Sequence, residues 1–235
     1  YMYECAIDRK YLSMVAVKNH GHGAMNPKAH VRRPISLEEA MAGPPVASPL
    51  NVYDCCPTSD GAAVVILARG DIARGFTDAP VFVKGMGTGA DALAIHDRTN
   101  ITGLKAVRDA ARRAYSMAGI GPDQIDMAEV HDCFTIAEIM AYEDLGFCPT
   151  GEAAKLLDRG DTALGGRIPV NVSGGLKSKG HPLGATGVGQ VCEIFDQLRG
   201  VACKPERQVR GARFGLAHNV GGSGGTATVL IFERR

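Results

Sequence analysis

The stretch that most constrains this chain runs from Asn171 to Gln190: Asn-Val-Ser-Gly-Gly-Leu-Lys-Ser-Lys-Gly-His-Pro-Leu-Gly-Ala-Thr-Gly-Val-Gly-Gln. It follows an extended lead-in, Ile168 to Val170, and breaks at Gly174-Gly175 and again at Gly180. Residues without a Cβ allow positive φ and close backbone approach at those breaks. His181-Pro182 then predicts a helix start, because proline is tolerated at a first helical position, and Val188, Cys192, Phe195 and Leu198 recur at helical spacing. A histidine is thereby expected where a glycine-lined loop feeds a helix N-terminus, a place that favours neutral imidazole and anionic ligand groups. Gly-His-Pro alone fits a plain helix-capping turn better.

The rest of the chain alternates apolar runs with helical patterns. Residues 8–19 predict a helix, and the polar loop Asn19 to His30 follows with three histidines. Flanking glycines and the lack of a nearby carboxylate argue against a metal site there. Ser36-Leu-Glu-Glu39 has capping-box spacing for a short helix, which Gly43-Pro44-Pro45 ends, and the chain then reads as loop to Asn51. The short continuous apolar run Ala62 to Ala68 is expected to be a strand buried on both faces. Cys55 and Cys56 have nothing basic beside them in sequence and read as structural thiols. Val81 to Gly89 predicts a strand running into a glycine-rich bend; its Gly85-x-Gly-x-Gly is followed directly by Ala90 with no helix, which excludes a nicotinamide fingerprint. Residues 103–118 predict an amphipathic helix stopped at Gly119, and Ile125 to Val130 a strand delivering His131-Asp-Cys-Phe134 to its C-terminal end. Further helices are expected after Phe134 and over 151–160, then two closing strands joined by His218 to Gly225. This order predicts a layered α/β sandwich with a mixed sheet, whose site lies in loops at the strand ends.

Composition removes several function classes. Net charge is +1, which gives no electrostatic case for nucleic acid or an anionic membrane surface. No segment approaches the ~20 apolar residues of a membrane span. Seven scattered cysteines without a repeated Cys-x-x-Cys suit a reducing compartment. The chain opens on Tyr1 and enters a helical pattern at once, so its beginning is expected to lie elsewhere.

His131 and Cys133, at i and i+2 beyond a strand, are placed to face one cleft. A cationic imidazole or helix N-terminus beside Cys133 would lower its thiol from ~8.5 toward neutrality, making it able to take a proton from carbon and return it. A buried, satisfied pair is the plainer alternative.

Taken together, Asn171 to Gly189 and His131-Asp-Cys-Phe134 resemble the active-site loops of the thiolase superfamily, in the variant of sterol-carrier-protein-type thiolases and related archaeal and bacterial enzymes. The resemblance covers essentially the whole chain but only the later part of such an enzyme. It implies a thiolase-like layered α/β sandwich with a mixed sheet, lacking most of the N-terminal half. Residues 1–50 would be a loop-domain-like segment, with Lys28, Arg32 and Arg33 facing coenzyme A phosphates or simply solvent. Residues 51–80 would end the N-terminal half, which thiolases close with a run similar to Ser59 to Ala63, and 81–235 would be the C-terminal domain.

The implied catalytic residues are His131, Cys133, His181, Asn219 and Gly221. Cys133 would be the acid/base cysteine, with His131 beside the oxyanion site. His181 would activate the incoming nucleophile and bind the thioester oxygen. Asn219 stands where many thiolases carry a second cysteine, and Gly221 would offer a backbone N–H to a developing oxyanion. The family's nucleophilic cysteine has no match here. The implied activity is that of an acyl-CoA C-acyltransferase, cleaving 3-oxoacyl-CoA thiolytically or running the reverse Claisen condensation, incomplete in this chain alone. A thiolase-fold aldolase acting on CoA thioesters, or a catalytically silent partner subunit, are the alternatives. The aldolase ranks second because no tyrosine lies in the three loops. Coenzyme A and acyl-CoA are expected as substrates, with no tightly bound cofactor and no metal. The expected partners are further copies of the chain or an N-terminal thiolase half, in a bacterial or archaeal cytoplasm.

Overall fold

The computed structural model describes residues Tyr1 to Arg235. In chain order the elements are α1 (Lys10–Ala24), α2 (Leu37–Met41), β1 (Pro45–Ala47), β2 (Leu50–Asn51), α3 (Gly70–Ala73), β3 (Val81–Ala90), α4 (Lys105–Ala118), β4 (Met127–Glu129), α5 (Thr135–Asp144), α6 (Ala153–Asp158), α7 (Gly175–Ser178), α8 (Thr186–Arg199), β5 (Phe214–Gly221) and β6 (Thr226–Arg234). Strands β3, β6, β5 and β4 form one sheet in that spatial order, antiparallel except for the parallel pair of β4 and β5. The predicted mixed sheet is therefore present.

Side chains on a strand alternate between faces, and here each face has its own core. Leu216 of β5 and Ala227, Val229 and Ile231 of β6 pack with α1, α4 and α5. Ala217, Leu230 and Phe232 point the other way, toward Ile194 and Leu198 of α8. Each fully buried Leu or Ile contributes about 1.5–3 kcal/mol, so the two layers hold the loops at the end of β4 and β5 from both sides.

The glycine run of β3 is not a bend. Gly85, Gly87 and Gly89 lie within the strand, paired with Ile231, Val229 and Ala227. At a two-residue period they share one face, and α4 lies against it: a Cβ on any of them would run into the carbonyl oxygen of Ala114, Ala110 or Ala106. Alanine fills the facing positions of α4, with Ala106, Ala110, Ala114 and Ala118 all buried. Helix and strand thus approach nearly backbone to backbone. Gly119 ends α4 in the left-handed conformation, φ 69°, and donates its N–H to Tyr115 O.

Four other expectations are corrected. α1 does not stop at residue 19 but continues through His20-Gly-His-Gly to Ala24. Two glycines cost such a helix about 1 kcal/mol each, offset by the burial of Asn19, His20 and His22 and by Gly23, where a Cβ would lie 2.7 Å from Ser178 Cβ. The run Ala62 to Ala68 forms no strand; Val64, Ile66 and Leu67 are 82%, 93% and 79% exposed. A two-sided apolar strand needs neighbours on its ladder, and none of this chain's strands pairs with it. Within the stretch read as loop, β1 and β2 form a small antiparallel pair. Finally, Pro182 does not open α8, which begins four residues later at Thr186 after a turn closed by Ala185 N–H and Thr186 N–H on Pro182 O.

Candidate active site

β4 is only three residues long, yet the segment after it is tightly fixed. Val130 N–H donates to Asn171 Oδ1 at 2.8 Å, and His131 N–H donates to His218 Nδ1 at 3.4 Å. Cys133 O accepts from Cys56 N–H at 3.0 Å. Asp132, fully buried, accepts from Leu176 N–H (2.7 Å), Lys177 N–H (3.2 Å) and Asn19 Nδ2 (2.8 Å). Gly175 sits at φ 60°, and a side chain there would overlap the Asp132 carboxylate. The His131 to Phe134 loop is thereby locked onto the glycine loop at α7.

Beneath it lies a buried ionic cluster. Glu138 pairs with Lys18 at 2.7 Å and accepts from Asn19 Nδ2 at 2.6 Å, Asn171 Nδ2 at 2.7 Å and the Tyr142 hydroxyl. Lys18 Nζ also donates to Val170 O at 2.8 Å. Such a pair persists away from water only because its remaining donors and acceptors are satisfied. Burial, and after it the charge of Glu138, push Asp132 up to about 7.

The glycine loop delivers His181 to the same place. Gly180 adopts φ 111°, and the His181 and His131 rings meet edge to face with centroids 5.0 Å apart. Thr186 Oγ1 donates its hydroxyl hydrogen to Pro182 O at 3.0 Å, so it accepts the Nδ1–H of His181 at 2.7 Å. That fixes the tautomer and leaves a lone pair on His181 Nε2. Burial, then the Lys179 charge, lower the His181 pKa and keep it neutral as a base.

The strand parity of β5 separates the last predicted residues. His218 shares the face of Leu216, toward α4 and α5; Asn219 faces α8. Asn219 Nδ2 donates to Gln190 Oε1 at 3.0 Å, and Gln190 Nε2 donates to His218 O at 3.0 Å and to Glu129 O at 3.4 Å. Gly221 ends β5 opposite Thr226. The structure therefore brings His131 and His181 into contact with each other and seats His131 and Cys133 in one cavity; Asn219 adjoins the start of α8 on the opposite face, and Gly221 contacts the strand partner.

The expected activation of Cys133 is not present. Burial, then the neighbouring Asp132 charge, push the thiol up to about 12, while burial and His181 hold His131 down to about 4. Two neutral imidazoles stand near a protonated thiol, with no imidazolium to stabilise a thiolate. Cys55 and Cys56 do have a cation beside them, Lys177, whose Nζ donates to Cys55 O. Burial outweighs it, and both thiols are raised.

Of the three basic residues proposed for phosphates, Lys28 lines a 650 Å³ groove with His30, Ser59, Lys179 and Thr186, and pairs there loosely with Asp196 at 3.8 Å. Arg33 is taken up by Glu39, and Arg32 reaches only Pro27 O. The three N-terminal histidines face different partners: His20 Nδ1 meets Arg33 O, His22 Nδ1 meets Asn171 O, and His30 Nδ1 meets Ser59 Oγ.

Sequence reasoning missed His218, Asp132 and Glu138. His218 is 1% exposed and lines a 240 Å³ cavity together with His131 and Cys133. The signal was available in parity: next to Asn219 on a strand, it had to face the opposite side.

The comparisons with known proteins bear on the family and the fold. Residues 87–234 match the family model described as thiolase C-terminal domain-like. An acetyl-CoA acetyltransferase of Methanothermobacter thermautotrophicus is 50% identical over 234 residues, 100% of this chain and 61% of that protein. Sterol carrier protein 2 of Oryctolagus cuniculus is 42% identical over 229 residues, 95% of this chain and 41% of its own length. Among solved structures, one described as Ltp2-ChsH2(DUF35) aldolase superposes with TM-score 0.89 at 27% identity, over 100% of this chain and 60% of that one. The chain thus spans between two-fifths and three-fifths of these relatives' lengths. With more than half its residues under the family model, it belongs to the thiolase family, of the sterol-carrier-protein type, as the later part of that fold.

Proposed function

We propose that this chain supplies the proton-handling and oxygen-binding half of an acyl-CoA C-acyltransferase. The contact of His131 with His181, made by two loops 50 residues apart in sequence, carries this reading. In thiolytic cleavage of a 3-oxoacyl-CoA, the bond between C2 and C3 breaks, the C3 acyl group passes to a nucleophilic thiol, and the C2 carbanion needs a proton. Cys133, held protonated by burial, is suited to give that proton. His181 Nε2, with its lone pair fixed by Thr186, is suited to take the proton of the incoming coenzyme A thiol; once protonated, it becomes a donor to the thioester oxygen. Asn219 and Gly221 would act on the α8 side as oxygen-binding groups. The nucleophilic cysteine would lie outside these residues. Residues 1–50 would cover the coenzyme A tail, and Lys28, which lines the groove, would meet its phosphates. Further copies or an N-terminal half would complete the site.

The aldolase neighbour favours a second reading, retro-aldol cleavage of a hydroxyacyl-CoA. Tyr142, the tyrosine closest in sequence to the site loops, is fully buried and bonded to Glu138, and no tyrosine lines the cavity of His131 and Cys133. The two are separated by one requirement. Thiolysis of acetoacetyl-CoA to acetyl-CoA consumes free coenzyme A; retro-aldol cleavage does not. The native protein is expected to need free coenzyme A, and Cys133→Ala to lower turnover by about 10²–10⁴, the usual contribution of a positioned acid or base. Cleavage without coenzyme A, or near-normal turnover of Cys133→Ala, overturns the assignment.

A further inference from the structure

Cys133 has a second cysteine across from it. Cys55 and Phe134 form an antiparallel bridge, and Cys56 N–H donates to Cys133 O at 3.0 Å, so Cys56 lies opposite Cys133 in that register. Directly opposed residues share a face, and in a hydrogen-bonded antiparallel pair their Cα atoms stand about 5.5 Å apart. A disulfide needs roughly 4.4–6.8 Å between Cα atoms, so the ladder holds the two backbones within bonding range. Both side chains are free thiols, and neither residue is fully buried. Cys55 does not compete. Its extended backbone, φ −103° and ψ 140°, turns its side chain to the other face, and its Sγ–H donates to Asn51 O at 3.5 Å. Lys177 lies beside the pair, with Nζ donating to Cys55 O, and its charge favours a thiolate at Cys56. Burial holds Cys133 protonated, which leaves Cys56 as the thiol that reacts first.

We propose that Cys56 and Cys133 are a redox-responsive pair that closes to a reversible disulfide by exchange with a small aliphatic disulfide. The Cys56 thiolate attacks one sulfur of that disulfide, the S–S bond breaks, and the first small thiolate leaves and takes up a proton. The Cys133 sulfur, losing its proton to solvent, then attacks the Cys56 sulfur, and the second small thiol leaves and is protonated. Two protein thiols are oxidised, one small disulfide is reduced to two thiols, and the two protons end on the departing groups. Where the surroundings are reducing, such a pair stays as thiols until the redox balance shifts, which makes it a sensor and not a structural staple. The bond removes the hydrogen that an acid at Cys133 would give to carbon. That it stops turnover rests on the acid role assigned above; that it forms does not.

The test equilibrates the native protein with oxidised or reduced glutathione, then digests it and maps the cysteines by tandem mass spectrometry. Oxidised glutathione should give two peptides joined through Cys56 and Cys133, lighter by two hydrogens than their thiol forms together. Reduced glutathione should return both thiols. Cys56→Ser should abolish the cross-link and leave turnover in reducing buffer unchanged, whereas Cys55→Ser should keep the cross-link. Should Cys56→Ser fail to fold, the wild-type map alone decides, because fragment ions separate Cys55 from Cys56. Glutathione left on either cysteine as a mixed disulfide, a bond from Cys133 to Cys55, or two thiols that persist in oxidised glutathione would each overturn the proposal. In the cross-linked protein turnover is expected to fall by about 10²–10⁴, as in Cys133→Ala, and to return with dithiothreitol. A cross-linked protein at full rate would instead discard the acid role of Cys133 and leave the redox pair standing.

Discussion

Two glycine-rich stretches of this chain look alike in sequence and do opposite work. In β3, Gly85, Gly87 and Gly89 keep ordinary strand pairing, and their value is an absent side chain that lets α4 lie on the backbone. In the loop around α7, Gly174, Gly175 and Gly180 take φ of 101°, 60° and 111°, conformations that side chains resist, and there they shape a site. One set is about space, the other about direction. Substitutions should separate them.

The largest effect is expected in β3. Gly87→Val places methyl groups inside the van der Waals radius of Ala110 O, a backbone atom that cannot rotate away. Overpacking against backbone should cost about 3 kcal/mol or more, read as a lowered urea midpoint, with whatever folded fraction remains retaining activity per molecule. Stability within 1 kcal/mol of wild type would show that α4 can slide, and would remove the contrast.

The two regions also differ in charge. The strip between β3 and α4 buries only small apolar groups, whereas the site buries three histidines that are neutral when folded: burial holds His22 and His218 down to about 3 and His131 to about 4. A lowered folded pKa gives stability that is complete above the unfolded value of ~6.5 and is lost as pH falls toward the folded one. Asp132 acts with the opposite sign. Its folded pKa of about 7 lies above its unfolded value, so it weakens the fold increasingly from pH ~4 to about 7. Each histidine should lose about 1.4 kcal/mol per pH unit below ~6.5, opposed by Asp132 and by the burial-raised carboxyls of Glu129, Asp144 and Asp196, and the expected result of acidification from pH 7 to 4.5 is a net loss of stability. Urea titrations across that range check it. His22→Gln should flatten the slope, and a wild-type profile flat in pH would mean the imidazoles are not buried neutral.

Gly180→Ala comes next. At φ 111° the strain should be about 1–3 kcal/mol, and the nearest obstruction is the rotatable Ser59 side chain, 2.6 Å from the added Cβ. Most of the protein should fold. Activity should fall further than stability, because His181 is the next residue and its ring must meet His131. Equal losses would make this glycine as purely structural as those of β3.

How much of this was readable beforehand follows from the same physics. Local signals survived: the Ser36 cap, bonded at 3.1 Å to Glu39 N–H, the alanine face of α4, and the positive φ at Gly174 and Gly180. The loops bearing His131 and His181 were legible because each follows a strand-to-loop break. Signals that depend on a distant partner were misread. Gly85-x-Gly-x-Gly looked like a bend because its meaning lies in the alanines of α4. The end of α1 was placed early because the burial that sustains His22 and Gly23 comes from residues about 150 positions away, such as Asn171 and Ser178. The thiol of Cys133 was expected to be activated by His131, but spacing carries no information about desolvation, and burial reversed the sign.

The smallest structural effect, and the sharpest separation of space from chemistry, belongs to Thr186→Val. Valine has nearly the shape of threonine, leaves every glycine in place, and removes one hydroxyl that donates to Pro182 O and accepts from His181. The loss of stability should be about 1 kcal/mol, the net worth of such hydrogen bonds. Yet the His181 Nδ1–H would lose its acceptor, the ring would be free to take either tautomer, and the Nε2 lone pair needed for a base would no longer be guaranteed. The expected result is an unchanged fold, a kcat lowered about tenfold or more with little change in KM for coenzyme A, and a shifted acidic limb of the pH–rate profile. Thr186→Ser, which keeps the hydroxyl, should restore most of the rate. A Val variant with wild-type kcat would mean that the loop's geometry, set by glycine alone, is sufficient to orient His181.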